Sequence, residues 1–313
     1  MKVFLWLIVV FRLLGPVLRP RFAPPQTHPW PLSGRTVFVD GREFVLRQAG
    51  PEGAPDVVLI HGLGGSGLTE WYEVGPRLAD RFRVTLVEHR NHGSAPRFTG
   101  RYEIDDLADD TGVVLAAAGV EHATVVGYSM GGTVAQALAH RHPELVDRLV
   151  LIGTFAAHPP SWRTARQIGT FLVRGWERLT GVGTPEVRAG YLILTGAVDR
   201  QHAEWMWEET HRRDPDGGAA ASLALMRFDA TRWVGSLRQP TLVIIPTRDQ
   251  LVPASWQYAL ASAIPHARIV DIADARHEVP WTHPDRIAAE VGRFVTEGGS
   301  GVFFDDHLVD EAE

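Results

Sequence analysis

The sequence predicts an α/β protein: a mostly parallel sheet with helices on both faces, carrying an inserted helical lobe. Three observations predict it. Short, wholly apolar runs such as Val57–Ile60 and Leu149–Ile152 suit strands buried on both faces. Strand and helix patterns alternate from Val57 to Ile152, as a parallel sheet with crossover helices requires. From about Ala156 to Ser236 the alternation stops and only helical stretches remain, until a strand pattern returns at Thr241–Ile245.

Taken in order, Val3–Phe11 is a continuous apolar run, broken by Arg12 and resumed to Leu18. That is shorter than the roughly 20 residues a membrane-spanning helix needs. It reads as an interfacial anchor, as an apolar segment docked on the protein, or as a misplaced start or poor signal sequence. Pro16–Pro31 holds six prolines and reads as an extended linker. Thr36–Asp40 and Phe44–Arg47 form an antiparallel pair turned at Asp40-Gly41, a strong hairpin dipeptide. Strands follow at Val57–Ile60, Arg83–Val87, Ala123–Val126 and Leu149–Ile152, with helices at Asp105–Ala118 and Gly132–His140. The lobe offers helices at Trp162–Leu179, Pro185–Leu194, Gln201–Arg212 and Ala219–Phe228. Thr241–Ile245 and Ala267–Asp271 are the last strands, and Pro284–Thr296 is a closing helix. The chain thus divides into an apolar segment and linker (1–34), a core (35–155 and 237–297), a helical cap (156–236) and an acidic tail (298–313) expected to be disordered.

Composition excludes several chemistries. A chain of 313 residues with 45% apolar and 22% charged residues is an ordinary globular composition. A net charge of −6 and no basic stripe argue against a nucleic-acid partner. No cysteine is present, so thiol nucleophiles, disulfides and Cys-based metal sites are out. The pairs His89/His92 and His140/His142 lack further ligands at metal-binding spacing. No metal and no cofactor is expected.

One segment carries chemistry. Gly127-Tyr128-Ser129-Met130-Gly131 is a G-x-S-x-G sequence between a strand pattern and a helix pattern. The bare pattern is weak; its strand-to-helix position is what makes it specific. A Ser hydroxyl needs a base, and the base an orienting acid. Asp249 follows the strand ending at Ile245, and His277 follows the strand ending at Asp271. Both therefore lie beyond strand C-termini, where open α/β sheets assemble their sites. The loop after Ile152 offers no carboxylate. Asp274 is too near His277 in sequence to reach its far side, and His283 reads as a helix-start residue. An oxyanion needs two backbone N–H donors; Met130, directly after Ser129, and Leu63, in the turn His61–Gly65, are the candidates. No Gly-Lys-Ser/Thr follows that turn, so a nucleotide-binding loop fails.

These motifs in this order, with the Glu88–Gly93 loop between them, resemble the α/β-hydrolase superfamily from about Val37 to Val295. The likeness is to its serine esterase and C–C hydrolase branch with a helical cap. It implies an eight-stranded sheet with the second strand antiparallel. Three positions depart from the usual Asp-x-Arg-Gly-x-Gly-x-Ser loop: Glu88 replaces Asp, Asn91 replaces the first Gly, and Ala95 replaces Ser. Asn tolerates positive φ better than most residues, so the turn can survive. Asp274 stands where Gly is common.

The expected reaction is cleavage of a carboxylic ester through an acyl-enzyme on Ser129, with thioesters or vinylogous C–C bonds as the alternative. A non-catalytic ligand-binding protein of the same fold is the reading from another class. Since an imidazole base works only when neutral, kcat/KM should fall below about pH 6–7. Trp162, Trp176, Trp205, Trp207 and Trp233, with Phe171 and Met206, either line an apolar, lipid-like substrate pocket or simply pack the cap. The partner expected is a small ester with an apolar acyl group. The cytoplasm is the expected location, with residues 3–18 as a potential peripheral membrane contact.

Overall fold

In the computed structural model, which describes residues 27–39, 41–159, 168–177, 183–212 and 214–297, β1 (Arg35–Val39) and β2 (Arg42–Ala49) pair antiparallel. β3 (Asp56–Ile60), β4 (Arg83–Val87), β5 (Ala123–Tyr128), β6 (Val146–Ile152), β7 (Thr241–Pro246) and β8 (Arg268–Ile272) follow. They form one eight-stranded sheet in the order β1-β2-β4-β3-β5-β6-β7-β8. Only the pairings of β2 are antiparallel. This is the α/β class and the antiparallel second strand expected above.

Alternate strand residues serve opposite faces. Val58, Ile60, Val125, Leu149 and Val243 pack beneath α3 (Ile104–Ala117) and α4 (Met130–Arg141), through residues such as Leu107, Leu115, Val134 and Leu138. Val57, Leu59, Val126, Val150 and Ile244 face the other way. There they meet α1 (Gly67–Trp71), α2 (Val74–Ala79) and the closing helix (Pro284–Thr296), through Trp71, Leu78, Ile287 and Phe294. Burial on both faces is why the central parts of these strands, Val57–Ile60 in β3, Leu149–Ile152 in β6 and Leu242–Ile245 in β7, read as unbroken apolar runs.

The cap leaves the sheet between β6 and β7, which are neighbours in register (Ile152 opposite Ile244). Its helices are α5 (168–177), α6 (Thr184–Thr195), α7 (Ala203–His211) and α8 (Pro215–Arg227). α8 joins one core face through Ala221 and Ala224, and α6 and α7 join the other through Leu192 and Met206. The cap therefore straddles the C-terminal edge of the sheet. Arg227 ties it down at one end, its Nε 2.7 Å from Glu103 Oε2 and its Nη2 donating to the Tyr102 carbonyl at 2.9 Å.

Several elements differ from expectation. α8 starts at Pro215, with Asp214 capping it by accepting from the Asp216 amide, four positions before the Ala219 that apolar spacing suggests. The stretch Gln201–Arg212 splits into a 3₁₀ turn (Arg200–His202) and α7. An antiparallel bridge, Ala157 to Asp229, closes the base of a lobe in which the sequence shows no strand. α1, α2, α9 (Ala254–Ala263) and α10 (Val279–Thr282) are additional to the expected elements; the final helix is α11. α1, α2 and α10 are too short to complete an amphipathic pattern. The linker's end is docked rather than free: the Thr27 amide donates to the Gln201 carbonyl at 2.8 Å. Trp30 also packs over Gly75, where a Cβ would come within 3.1 Å of its ring. The apolar run at 3–18, Asp40, Trp162 and the tail from Gly298 lie outside the described residues. Among those described, no helix is long and apolar enough to cross a membrane.

Candidate active site

The G-x-S-x-G segment is the junction of β5 and α4, and its glycines are required by contact. A Cβ on Gly131 would lie 2.6 Å from the His61 carbonyl oxygen and closer still to that of Ile60. A Cβ on Gly127 would sit 2.7 Å from Gly132 Cα, and one on Gly132 2.6 Å from Thr154 Cβ. Ser129 itself has φ 54° and ψ −117°, a backbone state that costs a non-glycine residue about 1–3 kcal/mol. Three hydrogen bonds hold it there. Its amide donates to the Ile152 carbonyl at 2.9 Å, and its own carbonyl accepts from the Gly132 amide at 3.0 Å and from Thr154 Oγ1 at 2.8 Å. The tight turn thus lifts the hydroxyl off the end of the sheet.

Asp249 and His277 meet that hydroxyl from two other loops. His277 Nε2 is 3.0 Å from Ser129 Oγ, and its Nδ1 is 2.7 Å from Asp249 Oδ2. Asp249 and His277 are both buried, while Ser129 keeps partial exposure. The other Asp249 oxygen, Oδ1, accepts from the amides of Leu251 and Val252, both at 2.8 Å. With Oδ1 so occupied, Oδ2 is left for the imidazole. This fixes the neutral tautomer with Nδ1–H toward the acid and a lone pair toward Ser129.

Four supports were not legible in the sequence. Gln257 Nε2 donates to Asp249 Oδ2 at 3.2 Å and to the Val252 carbonyl at 2.8 Å. The Tyr128 hydroxyl donates to the His277 carbonyl at 2.8 Å and holds the last loop. Glu70 Oε2 accepts from the Gly62 amide at 2.5 Å. Arg188, on the cap, reaches Glu70 Oε1 at 3.0 Å. None belongs to a local motif. The nearest thing to a signal was an acid, Glu70, standing directly before the apolar Trp71.

Leu63 lines the same cleft as Ser129, and Met130 is the first residue of α4. Among the described residues neither amide donates to another group of the protein. Rivals are placed elsewhere. Asp274 is exposed and paired with Arg248 at 2.6 Å, and His283 stands at the N-terminal boundary of α11.

The Glu88–Ala95 loop survives its substitutions. Asn91 takes φ 66° and Asp274 φ 59°, the left-handed state that glycine takes easily and Asn and Asp tolerate. Asn91 also pairs twice with Phe98, accepting from its amide at 2.6 Å and donating to its carbonyl at 3.1 Å. Glu88 accepts from the Gly67 amide at 2.7 Å, and burial pushes its carboxyl up to about 7. Beneath the loop His61, His89 and His92 cluster, with ring centroids 4.5 and 5.2 Å from His61. Burial lowers His61 well below the usual imidazole range and His89 to about 3. His61 Nε2 accepts from the His89 amide at 3.1 Å, so its Nδ1–H donates to the Gly62 carbonyl at 2.8 Å.

A cleft of about 490 Å³ opens over Ser129 and His277, between core and cap. Its apolar wall includes Leu63, Phe155, Val173, Leu225, Met226 and Val252, beside charged residues at Arg174, Glu177, Arg188 and Asp214. None of the four described cap tryptophans lines it. Trp205 packs at 5.2 Å on Tyr72, Trp233 stacks at 4.5 Å on His140, and Trp207 is buried with Met206 in the core. Phe171 is 60% exposed. The large rings went to the seams between helices and sheet, where most area can be buried; the apolar part of the cleft wall is left mostly aliphatic.

The family model of the alpha/beta hydrolase fold matches residues 55–184. A RutD protein of Caulobacter sp. (strain K31), named as a carbamate hydrolase, is 32% identical over 82% of this chain and 97% of its own length. Among solved structures, a hydrolase from Pseudomonas aeruginosa PA01 superposes with a TM-score of 0.72 at 27% identity, covering 85% of this chain and 98% of its own. The enol-lactonase from Burkholderia xenovorans LB400 gives 0.70 at 27%, covering 84% and 100%. An esterase from Thermogutta terrifontis gives 0.70 at 25%, covering 85% and 98%. A likeness that runs through nearly the whole length of its relatives takes in the sheet, the cap and the elbow together: this chain belongs to the alpha/beta hydrolase fold family, as an enzyme of its cap-bearing, hydrolase-like branch.

Proposed function

We propose that the protein is a serine hydrolase that cleaves a carboxylic ester with an apolar acyl group, through an acyl-enzyme on Ser129. The observation that carries this is the unbroken relay from Ser129 Oγ to His277 Nε2 at 3.0 Å and from His277 Nδ1 to Asp249 Oδ2 at 2.7 Å. Ser129 Oγ attacks the ester carbonyl while His277 Nε2 takes its proton. The carbonyl oxygen becomes an oxyanion between the Leu63 and Met130 amides, and α4 points its N-terminus at that charge. Collapse expels the alkoxide, which takes the proton from His277. Water then gives a proton to His277, attacks the acyl-enzyme and releases the acid, and His277 returns the proton to Ser129. Asp249 stays ionised throughout and stabilises the imidazolium.

The aliphatic cleft supports an apolar acyl group, and relatives named as an esterase and an enol-lactonase support ester or lactone carbonyls. A second reading is a carbamate, favoured by the RutD relatives. Its carbonyl would pass through the same oxyanion.

A fluorophosphonate probe tests the nucleophile: wild type should label and Ser129→Ala should not. Labelling of neither would favour a ligand-binding protein. A panel of p-nitrophenyl esters beside aryl carbamates tests the substrate. Butyrate to octanoate should exceed acetate in kcat/KM, and a clear preference for acetate refutes the apolar acyl site.

A further inference from the structure

Glu70 lies on α1 with no solvent exposure. A carboxylate fully removed from water is costly unless it is paired and hydrogen-bonded. Its two partners come from different parts of the molecule. Oε2 accepts from the Gly62 amide at 2.5 Å, in the turn that carries Leu63. Oε1 is 3.0 Å from Arg188 Nη1, on cap helix α6. The turn wraps closely round the carboxylate, since a Cβ on Gly65 would come within 2.6 Å of Glu70 Cδ. Arg188 lines the cleft with Ser129, and its guanidinium lies 5.3 Å over the Trp281 ring. Glu88 also holds loop amides, but its counter-ion Arg47, at 3.6 Å, comes from β2. Glu70 is the carboxylate that joins the turn to the cap.

We infer that Glu70 is a positioning residue for the Leu63 amide, and that Arg188 couples this positioning to the seating of the cap. The carboxylate fixes Gly62, and so the direction of the next amide, Leu63, toward the developing oxyanion. Arg188 holds the carboxylate charged and in place while α6 lies over the cleft. With the cap displaced, the turn loses its anchor and acyl transfer slows. The inference rests on the reading of Ser129, His277 and the amide pair given above, and adds to it a coupling between substrate enclosure and rate.

The groups facing the Glu70 carboxylate are Arg188 from the cap, His277 from the last loop and the Tyr128 phenol. Burial pushes this carboxyl up, and Arg188 and the Gly62 amide pull it back. The balance is already upward with Arg188 in place, and removing Arg188 takes away the largest opposing influence, so the carboxylate would be neutralised at a higher pH than in wild type.

The test is steady-state hydrolysis of p-nitrophenyl butyrate by the full chain from pH 5 to 9. The proteins are wild type, Glu70→Gln, Arg188→Met, Arg188→Lys, the Glu70→Gln/Arg188→Met double variant, and Ser129→Ala. Glu70→Gln and Arg188→Met should each lose roughly 10- to 100-fold in kcat, with KM within about threefold. The acid limb of Arg188→Met should move to higher pH, Arg188→Lys should recover most of the rate, and the double variant should be no worse than the poorer single one. A structural pair alone would lower stability without moving the limb. Wild-type kcat and limb in folded variants, or a loss wholly in KM, overturns the inference. If Glu70→Gln does not fold, the two Arg188 variants decide between the same outcomes. Full activity in Ser129→Ala would instead remove the hydrolase reading beneath it, whereas a dead Ser129→Ala with normal Arg188 variants sinks the coupling alone.

Discussion

Gly131→Ala adds one methyl group at the second residue of α4, where φ is not positive and backbone strain plays no part. The added carbon would lie 2.6 Å from the His61 carbonyl oxygen and 2.7 Å from the Ile60 carbonyl carbon. A carbon and a carbonyl oxygen normally approach no closer than about 3.3 Å, so the end of β3 and the start of α4 must separate by roughly 1 Å. Both neighbours are backbone, and no rotamer change relieves the overlap. Those two ends carry the proposed donors: Leu63 follows His61 by two residues, and Met130 directly precedes Gly131. The substitution therefore spreads the amide pair. Overpacking should cost about 1–3 kcal/mol of stability, and a displacement of this size about 100-fold in kcat, which is close to the loss of a whole donor. The assay is kcat for a p-nitrophenyl ester beside the rate of fluorophosphonate labelling and a thermal melt. Gly175→Ala is the control, since a Cβ there meets nothing within 4 Å. A folded Gly131→Ala protein with kcat within threefold of wild type would refute the coupling of elbow packing to donor geometry.

Other outcomes follow from the same contacts. Asp249→Asn keeps an oxygen for the Leu251 and Val252 amides but presents the wrong partner to His277 Nδ1–H, so kcat should fall about 10⁴-fold in a protein of near-normal stability; a loss under tenfold would count against the relay. His89 and His61 are buried neutral, with His89 lowered to about 3. The unfolded chain binds protons first as pH drops, so their contribution is complete above about pH 6.5 and declines from there toward pH 3. For His89 alone the full window is worth on the order of 4–5 kcal/mol. In urea titrations, His89→Leu should therefore lose less stability than wild type between pH 7 and 4.5, and an equal loss would contradict the assignment. Val173→Trp, on the α5 side of the cleft, should move the ester preference toward shorter acyl chains; an unchanged profile would mean that the acyl group lies elsewhere.

The elements legible from residues were those whose pattern is local and repeated. Runs such as Val57–Ile60 and Leu242–Ile245 are apolar throughout because both faces of a central strand are covered, and that property is written in consecutive residues. The Ser129 elbow was legible for a similar reason: three glycines flank it because backbone crowds Gly127 and Gly131 and the Thr154 side chain crowds Gly132. Asp249 and His277 could be narrowed to strand C-termini because a parallel sheet puts all such loops on one edge. What escaped was whatever depended on a distant neighbour. The tryptophans of the cap looked equally suited to a pocket or to packing, and for those among the described residues only the placement of α7 against Tyr72 and of Trp233 against His140 decided for packing. Short helices such as α10 and the early start of α8 were likewise set by caps and contacts rather than by periodicity.

The sequence by itself determined the architecture of the sheet, the insertion of the cap and the identity of the three side chains that meet. The parallel strands and the cap follow from periodicity and the elbow from glycine sterics, while the count of eight strands, the antiparallel second strand and the order of the three side chains are what the resemblance to the α/β-hydrolase superfamily implied. Tertiary structure alone decided the 3.0 and 2.7 Å spacings of that meeting, the aliphatic character of the cleft, and the link from Gly62 through Glu70 to Arg188. The physical reason is range. Backbone preference and side-chain alternation act over a few neighbouring residues, whereas a charge taken out of water is settled by whichever partner the fold brings to it, however far away in the chain.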